Sequence, residues 1–248
     1  MPLLSAPAGA AYGWRARIGL MQPSGVAENN PYEFYLMAPP GVVLVVVSFG
    51  FRASSSDMLD QLEDGVKRLL VREPDAIVQA AVPGVAAKGW GFEDQIRERV
   101  AKVTNVPMVT DLGSCWRAMQ AVGVSRVAML SAFDPGAHKD IEVYVKNAGI
   151  SIAAAKTLRT DPENYQRLAF TNLGVTYRAA KEVYRSAGNA DGVWITGALM
   201  PSVGVIQALE DDLGVPVVTS MQAMTWAGLR AAGIRDKIEG YGRLFQVA

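Results

Sequence analysis

Few side chains in this chain could carry nucleophilic or acid–base chemistry. Its 248 residues include one cysteine, Cys115, and one histidine, His138. An intrachain disulfide, a Cys-rich metal centre and a multi-His metal centre are therefore excluded. A Ser-His-Asp triad would depend on His138, which reads as a surface or capping residue of a helix starting near Pro135. Three candidates for catalysis remain. Lys88, if desolvated in a cleft, is a base or a carboxylate ligand. Cys115 sits near a predicted helix N-terminus that would lower its pKa, although lone cysteines usually serve as small buried hydrophobes. Thr196 offers a hydroxyl but needs a neighbouring base.

These residues must be held by regular elements, and the pattern of elements is clear. Apolar, β-branched runs predict strands at 17–21, 42–49, 76–81, 107–110, 126–130, 151–154, 193–196 and 215–219. Helical periodicity predicts helices from Ser56 or Asp57 to about Val71, and over 92–103, 112–122, 135–148, 161–186, 203–213 and 222–232. In the helix ending near Val71, Met58, Leu62, Val66 and Leu69 share one face. Strands alternating with helices imply βαβ units and parallel sheets, whose ligands lie beyond the carboxyl ends of the strands. The segments following the strands are thus the informative ones, among them 22–24, 82–84, 111–114, 131–133, 197–199 and 220–222. Gly89-Trp90-Gly91 is weak evidence for nucleotide binding, since no phosphate-loop pattern follows a strand.

The chain also repeats itself. Val106-Pro107-Met108-Val109-Thr110 returns as Val215-Pro216-Val217-Val218-Thr219, 109 residues on (215 − 106). Arg17-Ile18-Gly19-Leu20-Met21 returns as Arg126-Val127-Ala128-Met129-Leu130 at the same offset (126 − 17). Asp75 and Asp191 lie in a third matching pair, 116 apart (191 − 75). A duplicated α/β chain forms two similar lobes, and the cleft between them is the first place to look for a site. Formal net charge is zero and half the residues are hydrophobic, so nothing marks a nucleic-acid partner. The longest apolar run, Gly41 to Phe51, is too short to span a membrane, and the N-terminus lacks signal-peptide features. The cytoplasm is the expected compartment.

The strand ends carry a resemblance. Asp191 to Gly197, Leu209 to Ser220, Gly240 to Phe245 and the stretch from Asn105 to Val124 resemble the arylmalonate decarboxylase and maleate isomerase branch of the aspartate/glutamate racemase superfamily. The resemblance runs over most of the chain from about Arg17, more weakly in the first third. It implies two pseudo-symmetric doubly wound parallel-sheet lobes with the site in the cleft between them. It further implies a cofactor-independent isomerase or decarboxylase that takes a small (di)carboxylic acid through an enolate-like intermediate. Such enzymes place a thiol after a strand in one or both lobes. Here the second-lobe position falls on Gly197 and the first-lobe position around Val82-Pro83-Gly84, and neither has a thiol.

The expectations are therefore specific. The fold is α/β, with residues 1–112 plus 220–248 in one lobe and 113–219 in the other. Ser24, Pro83, Gly84, Val85, Phe133, Gly197 and Ala198 bind the substrate, with Lys88, Cys115 and Thr196 as catalytic candidates. The partner is a small carboxylic acid. No cofactor, metal, nucleic acid or membrane is expected, and a homo-oligomer is left open. Two alternatives stand beside this reading: a thiol-independent lyase, hydratase or hydrolase on the same scaffold, and a non-catalytic carboxylate-binding protein.

Overall fold

The structure is a computed structural model that describes residue 7 and residues 9–23, 27–48, 58–158 and 165–247. It contains two four-stranded, all-parallel sheets. The first is built from β1 (Ala16–Gln22), β2 (Val42–Ser48), β3 (Ala76–Gln79) and β4 (Met108–Thr110), in the order β2-β1-β3-β4. The second repeats that order with β5 (Arg126–Ser131), β6 (Ser151–Thr157), β7 (Gly192–Thr196) and β8 (Val217–Thr219), as β6-β5-β7-β8. All eight predicted strands are present within a few residues; Phe49, assigned to the second, lies outside the described residues. The central strands are buried along nearly their whole length, which is why they read as unbroken apolar runs.

The register explains the repeat. Ile18 pairs with Ala76 in the first sheet, and Val127 pairs with Gly192 in the second. These pairs are related by the 109- and 116-residue offsets found in the sequence. The repeated aspartates do the same work in both halves. Asp75 accepts the backbone N–H of Arg17 at 2.7 Å, and Asp191 accepts that of Arg126 at 2.8 Å. Each closes the start of its central strand pair with a charge-assisted hydrogen bond.

Nine helices are described: α1 (Asn29–Met37), α2 (Met58–Leu70), α3 (Val82–Lys88), α4 (Phe92–Ala101), α5 (Asp111–Ala121), α6 (Pro135–Asn147), α7 (Leu173–Ser186), α8 (Ile206–Leu213) and α9 (Ser220–Ala231). Two were not expected. α1 is short and holds Pro31, and its buried residues include Asn29, Asn30 and Glu33, so it lacks an apolar stripe. α3 begins at Val82-Pro83-Gly84, a stretch that reads as a loop. Proline is nevertheless tolerated in a first turn, where its missing N–H has no helical partner. The helix predicted over 161–186 is divided. A 3-10 turn over Tyr165–Phe170 precedes α7, which Asn172 caps through the N–H of Gly174. The expected caps at Ser56, Asp57 and Asp161 lie outside the described residues.

α5 and α9 are equivalent helices that pack on each other where the lobes meet. Thr110 caps α5 through Gly113 N at 3.0 Å, and Thr219 caps α9 through Gln222 N at 3.3 Å. In α9 the cap is reciprocal, because the Gln222 side chain accepts the Thr219 N–H. α9 crosses to the first sheet, where a Cβ on Gly228 would meet Val78 and Ile18. No helix among the described residues is long and apolar enough to cross a membrane.

Candidate functional site

A cavity of about 380 Å³ opens between the lobes. Its walls come from segments that follow strands, as expected for open parallel sheets. The first half supplies Pro23 after β1, Asn30 of α1, Ala80 to Gly84 after β3, and Asp111 after β4. The second supplies Phe133, Asp134 and Ala137 after β5, Tyr165 and Gln166 after β6, and Ala198 and Leu199 after β7. Phe133 and Tyr165 stack with centroids 6.2 Å apart and form an aromatic wall. α3 starts at the cavity with no side-chain cap, so its first amides have no partner within the helix.

The far side of the cavity is pinned across the lobes. Asn29 donates to the carbonyls of Ala198 at 3.0 Å and Leu199 at 2.6 Å. Glu33, one turn along α1, accepts the N–H groups of Ser202 at 2.6 Å and Val203 at 2.9 Å. Burial pushes the Glu33 carboxyl up to about 7 against the pull of those two amides. The segment after β7 is thus positioned by buried polar contacts from the opposite lobe.

At the meeting point of α5 and α9 lies a buried polar cluster, with Asp111 in the cavity wall and Cys115 and Ser220 behind it. Asp111 is 2% exposed. Its Oδ1 accepts from the Cys115 thiol at 3.4 Å. The Ser220 hydroxyl stands 3.8 Å from that sulfur and accepts the backbone N–H of Gly197 at 3.1 Å. Ser220 is also close enough to pull the Asp111 carboxyl toward lower pKa. Because its oxygen already accepts from Gly197, the Ser220 hydroxyl has its proton left to direct at the Cys115 sulfur or the Asp111 carboxyl. Burial pushes Asp111 up to about 6, while Ser220 and Cys115 pull the other way. The Cys115 thiol is driven well above its ordinary range, first by burial and then by the neighbouring Asp111 charge. It is a protonated hydrogen-bond donor rather than a thiolate.

The sequence candidates are placed unequally. Pro83, Gly84, Phe133 and Ala198 line the cavity. Val85 is fully buried in the core and is not among the lining residues. Gly197 lies just behind the wall. It adopts φ +113°, and a Cβ there would collide with the Cβ of Ala132. Thr196 is fully buried at the end of β7, its hydroxyl without a hydrogen-bond partner, and Cys115 is fully buried against Asp111. Lys88 is exposed in the last turn of α3, at the end away from the cavity. His138 is half-buried in α6, with its pKa lowered chiefly by burial. Ser24 lies outside the described residues. The register makes Ala81, at φ 157°, the counterpart of Gly197. Asp111 and Tyr165 were missed as individual site residues. The signal for Asp111 was available, because the 109-residue offset pairs Thr110-Asp111 with Thr219-Ser220.

Fold and site together define a two-lobed α/β protein with a ligand-sized cavity at the strand ends of both lobes. The arylmalonate decarboxylase family model matches residues 45–245, and the chain belongs to that family. The arylmalonate decarboxylase of Bordetella bronchiseptica is 24% identical over 159 residues, covering 64% of this chain and 65% of that protein, just under two thirds. The maleate isomerase of Geobacillus stearothermophilus is 20% identical over 185 residues, covering 68% of each. Both relatives are enzymes. A crystal structure of arylmalonate decarboxylase superposes with a TM-score of 0.84 at 21% identity, covering 93% of this chain and 99% of that one. A variant of the Nocardia farcinica maleate cis-trans isomerase, which holds a covalently bound succinylcysteine intermediate, superposes with a TM-score of 0.79 at 21% identity, covering 94% and 99%.

Proposed function

We propose that this protein is a cofactor-independent decarboxylase of malonate-type acids and that it works through an enolate-like intermediate in the interlobe cavity. Family membership supports the choice between decarboxylation and isomerisation of small carboxylic acids. One observation favours decarboxylation: the single cysteine is walled off behind Asp111 as a protonated thiol. Rotating about the double bond of a maleate requires reversible addition of a nucleophile, and in the Nocardia relative the adduct is a succinylcysteine. Decarboxylation needs no adduct. It needs a site for the developing enediolate and a proton for the α-carbon.

The cavity has groups suited to both tasks. The N–H groups of Val82 and Gly84, in the first turn of α3, suit the charge that accumulates on the remaining carboxylate, an oxyanion-hole role. The apolar surface of Ala80, Val82, Phe133 and Leu199 disfavours the ionised leaving carboxylate relative to neutral carbon dioxide. The stacked Phe133 and Tyr165 rings suit a flat substituent on the α-carbon.

Proton NMR of the protein with arylmalonates, alkylmalonates and maleate tests this reading. The expected result is conversion of at least one malonate to its monoacid and no conversion of maleate to fumarate. Maleate turnover with inert malonates would overturn it.

A further inference from the structure

Resting on that decarboxylase reading, we infer that Asp111 is the group that delivers the proton to the α-carbon, in the role the family resemblance assigns to a thiol. The inference comes from where the carboxyl stands and what holds it. Among the described residues, the ionisable side chains lining the cavity are Asp111, Asp134 and Tyr165. Asp134 is exposed and spends its Oδ1 capping α6 through Gly136 and Ala137. Tyr165 is half-buried, with its ring stacked on Phe133. Asp111 alone among the three is withdrawn from water.

Its surroundings are built rather than incidental. Cys115, one turn along α5, donates to the carboxyl, and Ser220, the first residue of α9, stands beside that pair, 3.8 Å from the sulfur, and pulls the carboxyl's pKa down. Ser220 in turn takes the N–H of Gly197, the position at which a second-lobe thiol would stand. The carboxyl is therefore wired to the segment from which a thiol would otherwise act. The pseudo-two-fold relation sets Asp111 and Ser220 opposite one another, so the two halves contribute one acid and one hydroxyl to a single pair. Among the described residues, burial, Ser220 and Cys115 are the influences on Asp111. A carboxyl that burial lifts to about 6, in the cavity wall, can give up and regain a proton near neutrality.

In the step itself, the bond between the α-carbon and the departing carboxylate breaks and carbon dioxide leaves. The bonding pair passes into the remaining carboxylate as an enediolate. The Asp111 O–H then gives its proton to the α-carbon, leaving Asp111 ionised beside Ser220 and hydrogen-bonded to Cys115. Solvent reprotonates it after the monoacid departs. Cys115 and Ser220 act as positioning residues, holding the ionised form between turnovers.

The test pairs turnover with proton-linked binding. Wild type, Asp111→Asn and Asp111→Glu are assayed on the malonate panel across pH. Malonate binding is then measured by calorimetry in buffers of different ionisation enthalpy. The expected result is a loss of at least about 100-fold in kcat/KM for Asp111→Asn, with partial rescue by Asp111→Glu. Malonate still binds Asp111→Asn, but the proton uptake that accompanies its binding to wild type is lost. Uptake is expected because a bound dianion raises the pKa of a neighbouring carboxyl. If wild type turns over and Asp111→Asn stays within tenfold with an unchanged pH profile, the inference fails and the decarboxylase reading stands. If wild type binds malonate with Asp111-dependent uptake and converts nothing, the decarboxylase reading fails and Asp111 remains the proton-exchanging group of the cavity. Binding without uptake overturns the role of Asp111. If Asp111→Asn does not fold, Ser220→Ala decides. Removing that hydroxyl should move the limb of the pH profile set by Asp111 to higher pH, and an unmoved limb contradicts the assignment.

Discussion

Two residues decide what this site can do, Gly197 and Cys115. A thiol cannot simply be returned to Gly197. The backbone there sits at φ +113°, where side chains are strained, and Ala132 already fills the space of a Cβ. The expected cost of Gly197→Cys or Gly197→Ala is about 2 kcal/mol or more, read from denaturant unfolding; an unchanged midpoint would contradict the packing described. Cys115 is buried, protonated and bonded to Asp111. It should therefore resist an aromatic disulfide reagent at pH 8 in the native protein and react stoichiometrically only after unfolding. Fast native labelling would show that the thiol is reachable. The sequence could single out Cys115 by its rarity but could not reveal its state. That state depends on Asp111 one turn away and on Ser220 at the opposite end of the repeat.

At the scale of elements, the strands were legible and two helices were not. Central parallel strands are buried on both faces, so β1, β3, β5 and β7 write their positions as apolar runs. α1 and α3 are governed by contacts distant in sequence. α1 buries Asn29 and Glu33 because they hold the segment after β7, and polar residues spent in that way erase helical periodicity. Hence Val82-Pro83-Gly84-Val85 read as a loop when it is the first turn of α3. The α1 latch has a pH consequence. Burial raises Glu33 from 4.5 to about 7, so the folded state binds a proton that the unfolded state has lost between those values. Stability should be fullest below about pH 4.5 and fall as pH rises toward 7, by on the order of 3 kcal/mol for this group. Glu33→Gln keeps an acceptor for the amides and removes the titration. Its unfolding free energy, measured from pH 4.5 to 8, should lose less with rising pH than that of wild type. Parallel curves for the two proteins would show that the buried charge is not the cause.

At the scale of the molecule, the duplication places the site and its imperfections define the chemistry. The two sheets share one strand order, and their repeated aspartates close equivalent strand pairs. Equivalent helices α5 and α9 meet between the lobes with Asp111 on one and Ser220 on the other. The offset visible in the sequence relates these two residues, so the position of the pair was legible although its use was not. The cavity gathers segments from both lobes, and neither lobe alone could build it. The most direct measurement of this account is a crystal structure of the protein grown with saturating malonate. The expected result is one malonate in the interlobe cavity, a carboxylate on the first-turn amides of α3 and the central carbon facing Asp111. Malonate bound elsewhere, with the cavity holding only solvent, would contradict it.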